Sequence, residues 1–135
     1  MVDTYALDTT FLIDLLRNNP AAKELAIKIS KEHICTTQVN VYELLFGFYS
    51  SKPENLDKLI ERSHILLDRL TILPLTNPAI EQSAKIGGSL NRKGWRIDHT
   101  DCLIAGTLLA NDCTTLVTRN TEHFKRIPGL KVKTY

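Results

Sequence analysis

The feature that most restricts the fold is the spacing of five short β-prone runs, each set apart from the next by helical sequence. They are DTYAL (3–7), HICTT (33–37), TILPL (71–75), TTLVT (114–118) and LKVKTY (130–135). Between the first two lie TTFLIDLLRN (9–18), apolar at helical spacing until NNP stops it, and PAAKELAIKISKE (20–32), whose Pro20 suits a first helical turn. QVNVYELLFGFYSS (38–51) and PENLDKLIERSHILLDRL (53–70) follow the second run. NPAIEQSAKIGGSLNRKG (77–94) and DHTDCLIAGTLLAND (98–112) follow the third, and the short NTEHFKRI (120–127) the fourth. Strands separated throughout by helices imply a parallel sheet covered on both faces. The expected fold is therefore α/β, a three-layer α/β/α sandwich with a short parallel sheet, formed by residues 1–135 as one domain. Segment 38–51 is apolar on nearly all sides and is expected to be buried.

Composition narrows the function classes. No apolar run reaches the roughly 18–20 residues of a membrane-spanning helix, and MVDTYALD has no basic segment leading into an apolar stretch. Cys35, Cys102 and Cys113 lie in or beside apolar stretches without ligand-like spacing, which suits a reducing cytoplasm. The net charge of +2 conceals an asymmetry. Residues 1–84 carry 8 Lys/Arg against 11 Asp/Glu, and residues 85–135 carry 9 against 4. The basic NRKGWR (91–96), with Arg119, Lys125, Arg126, Lys131 and Lys133, forms either a solvated surface or a patch for phosphate backbones.

Several polar residues stand where apolar ones are expected. In open parallel sheets, ligands bind at the carboxyl ends of the strands, and Asp8 lies at such an end. It caps the following helix, or it faces a ligand, or both. Glu43 sits in VNVYELLFGFY with Val39, Asn40, Phe46 and Gly47 as helical neighbours, so it needs a salt-bridge partner or a cation. Asp101 shares a helix face with Ile104 and Ala105, whereas Asp98 has the ordinary role of N-cap open to it. Thr118 and Asn120 follow a buried strand as Asp8 does, and Asn120 or Thr121 caps the short helix there. Carboxylates gathered closely repel one another unless a cation lies between them. An oxygen-only set selects a hard ion such as Mg²⁺ or Mn²⁺. His33, His64, His99 and His123 show no zinc spacing, so metal-assisted phosphoryl chemistry is favoured over zinc hydrolysis.

LDTTFLIDLL, the glutamate in VNVYELLFG, DHTDCLIAGTLLA and LVTRNTEHFKRIPGLKV occur in an order that resembles the PIN domain, specifically the VapC-type toxins of toxin–antitoxin modules. The resemblance implies a homodimeric, Mg²⁺- or Mn²⁺-dependent endoribonuclease that acts on RNA and is held in check by a cognate antitoxin protein. It matches Asp8, Glu43 and Asp101 to the three acidic metal positions. The fourth position, often Asp, is Asn120 here, and one neutral oxygen there would hold a second ion more weakly. Thr9 and Thr118 match positions that orient the acids. The implied reaction has Asp8 and Asp101 holding the ion, with Glu43 completing its shell or taking the proton of the attacking water. Arg92, Lys93, Arg96 and Arg119 would then meet phosphates and Trp95 a base. A PIN-like module that binds RNA or protein without cutting is the alternative, supported by the asparagine.

Overall fold

A computed structural model describes residues 3–135; Met1 and Val2 lie outside the described residues. The elements run β1 (Thr4–Leu7), α1 (Thr9–Leu16), α2 (Pro20–Lys28), β2 (His33–Thr37), α3 (Gln38–Ser51), α4 (Leu56–Leu67), β3 (Thr71–Leu73), α5 (Asn77–Arg92), α6 (His99–Ala110), β4 (Thr115–Val117), α7 (Thr121–Phe124) and β5 (Lys131–Lys133). The five strands form one parallel sheet in the order β3-β2-β1-β4-β5.

Successive strand residues point to opposite faces, and both faces are covered. Ala6 and Leu116 enter a core built with Ile104, Ala105 and Leu108 of α6 and Ile86 and Leu90 of α5. Their neighbours Leu7 and Val117 enter a second core, with Phe11, Leu12 and Leu16 of α1, Leu44 and Phe48 of α3, and Leu59 and Leu67 of α4. The expected α/β/α sandwich is thus the observed one. Within the layer formed by α5 and α6 the two helices approach closely at Gly106, where a β-carbon would lie 1.9 Å from Ser83 Oγ and 2.5 Å from Ser83 N. Cys35, Cys102 and Cys113 are free buried thiols, with the sulfurs of Cys35 and Cys113 3.6 Å apart.

Several elements are shorter than their patterns suggest, each for a local reason. Helix α2 ends at Lys28, where Ser30 Oγ donates to the Ile27 carbonyl at 2.8 Å and competes with continued helix. Residues 53–55 form a turn closed by Leu56 N on the Pro53 carbonyl, so α4 begins three residues late. Pro74, lacking an N–H, follows the end of β3. The larger correction concerns α3. It buries Val39, Asn40, Leu44 and Phe48, but leaves Tyr42, Phe46 and Tyr49 63%, 57% and 55% exposed. Its apolar residues exceed what one sheet face can cover, and the surplus is aromatic.

The strand order places the site. From β1 the chain moves outward to β2 and β3, then returns across to β4 on the other side of β1. The order therefore reverses between β1 and β4, and crevices of this type lie beyond the carboxyl ends of such a pair. Asp8 follows β1 and Thr118 follows β4, joined by Asp8 N donating to the Val117 carbonyl at 3.0 Å.

Candidate active site

Asp8 occupies the N-cap position of α1, yet its side chain makes no capping bond. Both carboxylate oxygens are engaged elsewhere. Asn40 Nδ2 donates to Oδ1 at 2.9 Å, and Thr118 Oγ1 donates to Oδ2 at 2.6 Å. Asn40 is itself fixed by the start of α3, where Thr37 Oγ1 accepts from Asn40 N at 3.1 Å and donates to Asn40 Oδ1 at 2.8 Å. Thr118 is fixed from the other side: Asn120 N donates to its hydroxyl at 2.9 Å, and Thr10 Oγ1 lies 3.3 Å away. Asp8 is 4% exposed, and its orientation is set by β2–α3 on one flank and β4–α7 on the other.

Glu43 stands one turn after Asn40 on α3 and accepts from Thr9 Oγ1 at 2.8 Å. Among the described residues it has no ion-pair partner, so the salt-bridge reading of its burial fails. Asp101 is in the first turn of α6 and 7% exposed. Its Oδ2 lies 2.9 Å from His123 Nδ1 and 3.4 Å from Asn120 Nδ2, which donates to it. Asp98 takes the N-cap position of α6 without a side-chain capping bond, and Asn120 does the same before α7.

Asp8, Glu43, Asp101 and Asn120 line one cleft of about 460 Å³, together with Asp98, Thr9, Thr10, Thr100, Tyr42 and Phe46. Burial lifts the Asp8 carboxyl above its ordinary 3.8, against hydrogen bonds that lower it, and the Asp101 charge lifts it further. Burial likewise lifts Glu43, with the Asp8 charge contributing. Burial lifts Asp101 too; His123 opposes this, while Glu43 and Asp98 add to it. No lysine or arginine is among the residues lining the cleft. Three acids whose charges are disfavoured and mutually repulsive, presenting oxygens to one cavity, are a donor set that fits a divalent cation. Asp98, Asp101 and His123 also offer ligand atoms all within 4.8 Å of one another.

Of the basic residues expected to meet phosphate, Arg119 pairs with Asp14 while remaining exposed, and Lys93 and Arg96 stand beside Trp95. Arg119 Nε lies 3.1 Å from Asp14 Oδ2, and Tyr135 donates its hydroxyl to the same oxygen at 2.5 Å. Trp95 is half exposed, with Lys93 Nζ 5.5 Å from its ring centre, and lines a separate cavity with Arg96 and His99. Sequence reasoning missed Asn40 and His123. The signals were available: Asn40 precedes Glu43 by three residues on one helix face, as Asn120 precedes His123.

The PIN-domain family model matches residues 5–130. The tRNA(fMet)-specific endonuclease VapC of Shigella flexneri is 28% identical over 130 residues, covering 96% of both chains. Ribonuclease VapC19 of Mycobacterium tuberculosis is 33% identical over 132 residues, covering 93% of this chain and 95% of that protein. Among solved structures, VapBC2 from Rickettsia felis, bound to a DNA fragment from its promoter, superposes with a TM-score of 0.84. That likeness carries 26% identity over 98% of both chains. With the acids gathered at the β1/β4 reversal of a five-stranded parallel sheet, and likeness running over nearly the whole length, this chain belongs to the PIN-domain family, among the VapC ribonucleases.

Proposed function

We propose that the protein is the endoribonuclease toxin of a type II toxin–antitoxin module, hydrolysing RNA phosphodiester bonds in the Asp8–Glu43–Asp101 cleft. The observation that carries this reading is the convergence of two buried aspartates and the half-buried Glu43, all raised in proton affinity, on a cavity lined by no lysine or arginine. Residues 1–135 act as one nuclease unit, and Mg²⁺ or Mn²⁺ is the ion that an oxygen-rich set of this kind selects.

Asp8, Asp101 and Glu43 would hold the cation. When bound, it supplies Lewis acidity toward a phosphate oxygen and lowers the pKa of coordinated water. Asn40 and Thr118 keep the Asp8 oxygens in a single orientation, and Thr9 does the same for Glu43 Oε1. Glu43, less buried than the two aspartates and raised in proton affinity, would either complete the cation's shell or accept the proton of the attacking water. Asn120 contributes a neutral amide and steadies Asp101 through its Nδ2. Attack by water leaves a 5′-phosphate and a 3′-hydroxyl, with no chemical need for the RNA 2′-hydroxyl.

The partners in this reading are an antitoxin protein and a second copy of the chain, acting in the cytoplasm. The antitoxin is supported by the VapBC assemblies whose toxin subunits share this fold. Among the described residues, no helix is long and apolar enough to cross a membrane.

The test is cleavage of a mixed structured RNA pool by purified protein freed of copurified partners, in Mg²⁺, Mn²⁺ or EDTA, beside Asp8→Asn and Asp101→Asn. Cutting that requires the cation, disappears in both variants and leaves 5′-phosphate ends is the expected result. Equal cutting by wild type and both variants would overturn the assignment of the site. Failure of the wild type to bind Mn²⁺ at all would return the acids to a structural role.

A further inference from the structure

We infer that Tyr42 and Phe46 form a stacking platform for the bases of single-stranded RNA adjoining the scissile phosphate. The inference rests on the ribonuclease reading of the cleft and names the feature that would hold the substrate there. The two rings, one helical turn apart on α3, stack with centroids 5.6 Å apart and planes inclined by 24°. Both are more than half exposed, although α3 packs its opposite face into the second core. Both line the same cleft as Asp8, Glu43 and Asp101, and Tyr42 directly precedes Glu43 in sequence. Tyr49, three positions beyond Phe46 and also exposed, continues the stripe along the helix away from the acids.

An exposed apolar stripe of this kind marks an interaction surface. Its continuity with the acid cleft selects the occupant. A phosphodiester seated at the acids carries its flanking nucleosides onto the adjoining wall, and that wall offers aromatic faces. Every base has a π-face, so such a wall binds single strands with little sequence preference. Duplex RNA keeps its bases stacked on each other and presents mainly sugar and phosphate. The platform therefore favours unpaired RNA, in loops or single strands, at the cutting position. Trp95, the aromatic residue singled out by its basic neighbours, borders a different cavity and is not among the residues lining the acid cleft.

The experiment measures binding of a fluorescent mixed-sequence 12-mer RNA, single-stranded or annealed, to the full chain in EDTA. It compares wild type, Tyr42→Leu, Phe46→Leu, the double variant and Tyr42→Phe, with sedimentation of each, and then KM and kcat for cleavage in Mn²⁺. Each leucine variant should weaken single-strand binding about 5- to 100-fold, the range one base–aromatic stack supplies. Duplex binding should be unchanged, Tyr42→Phe should stay close to wild type, and KM should rise with kcat nearly constant. Single-strand affinity unchanged in the double variant would overturn the platform. If the variant then sediments as a smaller species, the stripe is instead an interface between copies. Loss of affinity for the antitoxin alone would assign it to that protein, and also overturn the platform. Because binding is read without a divalent cation, a wild type that binds RNA through these rings yet never cuts it would uphold the platform while refuting the nuclease reading.

Discussion

Asn40 Nδ2 holds Asp8 Oδ1 at 2.9 Å, across 32 residues of sequence, and does so from within the capping box that starts α3. One side chain thus joins the folding of a helix end to the orientation of a buried carboxylate. Asn40→Ala should remove the donor to Asp8 and half of the capping box together. The expected loss of stability is about 1–3 kcal/mol, the usual result of stranding a buried polar partner. Mn²⁺ affinity should fall by about 10- to 100-fold, as when a group that orients a ligand is removed. Chemical denaturation and calorimetric titration read the two effects separately. A full loss of stability with unchanged Mn²⁺ affinity would confine Asn40 to the cap.

The acids also fix how the cation-free protein responds to pH. Asp8, Glu43 and Asp101 bind protons more tightly in the folded chain than at their ordinary values of 3.8, 4.5 and 3.8, chiefly because they are buried. For a raised acid the favourable contribution is complete below the ordinary value and is lost as pH climbs through the folded value. In EDTA, the Tm contribution of these three groups should therefore fall as pH rises from 4 toward neutrality. Mn²⁺ should restore it, by about 2.7 kcal/mol at a hundredfold excess over Kd. Glu43→Gln should flatten the EDTA profile and reduce the Mn²⁺ response. Thermal melts at pH 5 and pH 8 decide this; equal Mn²⁺ stabilisation of wild type and Glu43→Gln would exclude Glu43 from the cation site.

Much of this was legible in the chain because the signals are periodic or misplaced. Five apolar runs spaced by helices dictated the sandwich, and Asp8, Glu43 and Asp101 stood out as acids in apolar company. What escaped depends on contacts between distant segments. Asn40 reads as one more polar residue near a helix start until β2 lies beside β1 and turns it onto Asp8. His123 gains meaning only when α7 packs beside α6, bringing Nδ1 to Asp101. The exposure of Tyr42, Phe46 and Tyr49 ran against hydrophobicity, which reports that a residue favours burial and not whether a neighbour is available. Nor does the sequence pair Arg119 with Asp14, 105 positions away, which its exposed guanidinium meets in the fold.

Gly106 carries a purely structural prediction. Helix α6 passes α5 so closely that any β-carbon at 106 would overlap Ser83, and the overlapped atoms include its backbone N and Cα at 2.5 and 2.6 Å. A rotamer change of Ser83 cannot relieve that clash. Gly106→Ala should cost about 1–3 kcal/mol or more, since the two helices must separate within a packed core. Gly47→Ala, where nothing lies within 4 Å of the added carbon, is the matched control and should be neutral or slightly stabilising by helix propensity. Comparable denaturation midpoints for the two variants would mean that α5 and α6 pack less tightly than this.

Asn120→Asp tests whether position 120 reaches the cation. Asn120 Nδ2 now donates to Asp101 Oδ2 at 3.4 Å and lies 3.3 Å from His123 Nδ1. An aspartate there exchanges a donor for a charge, setting a fourth carboxylate against three whose charges burial already disfavours. Without a cation the variant should be less stable than wild type, and the deficit should grow from pH 5 to pH 8. With Mn²⁺ the order should reverse, because an added carboxylate strengthens a hard-ion site more than a neutral amide oxygen does. The expected signature is a lower Tm in EDTA together with a larger Tm gain on adding Mn²⁺, and a calorimetric stoichiometry nearer two ions per chain. A variant with wild-type Tm in EDTA and an unchanged Mn²⁺ response would show that position 120 lies outside the reach of the ion, leaving its amide to orient Asp101 alone.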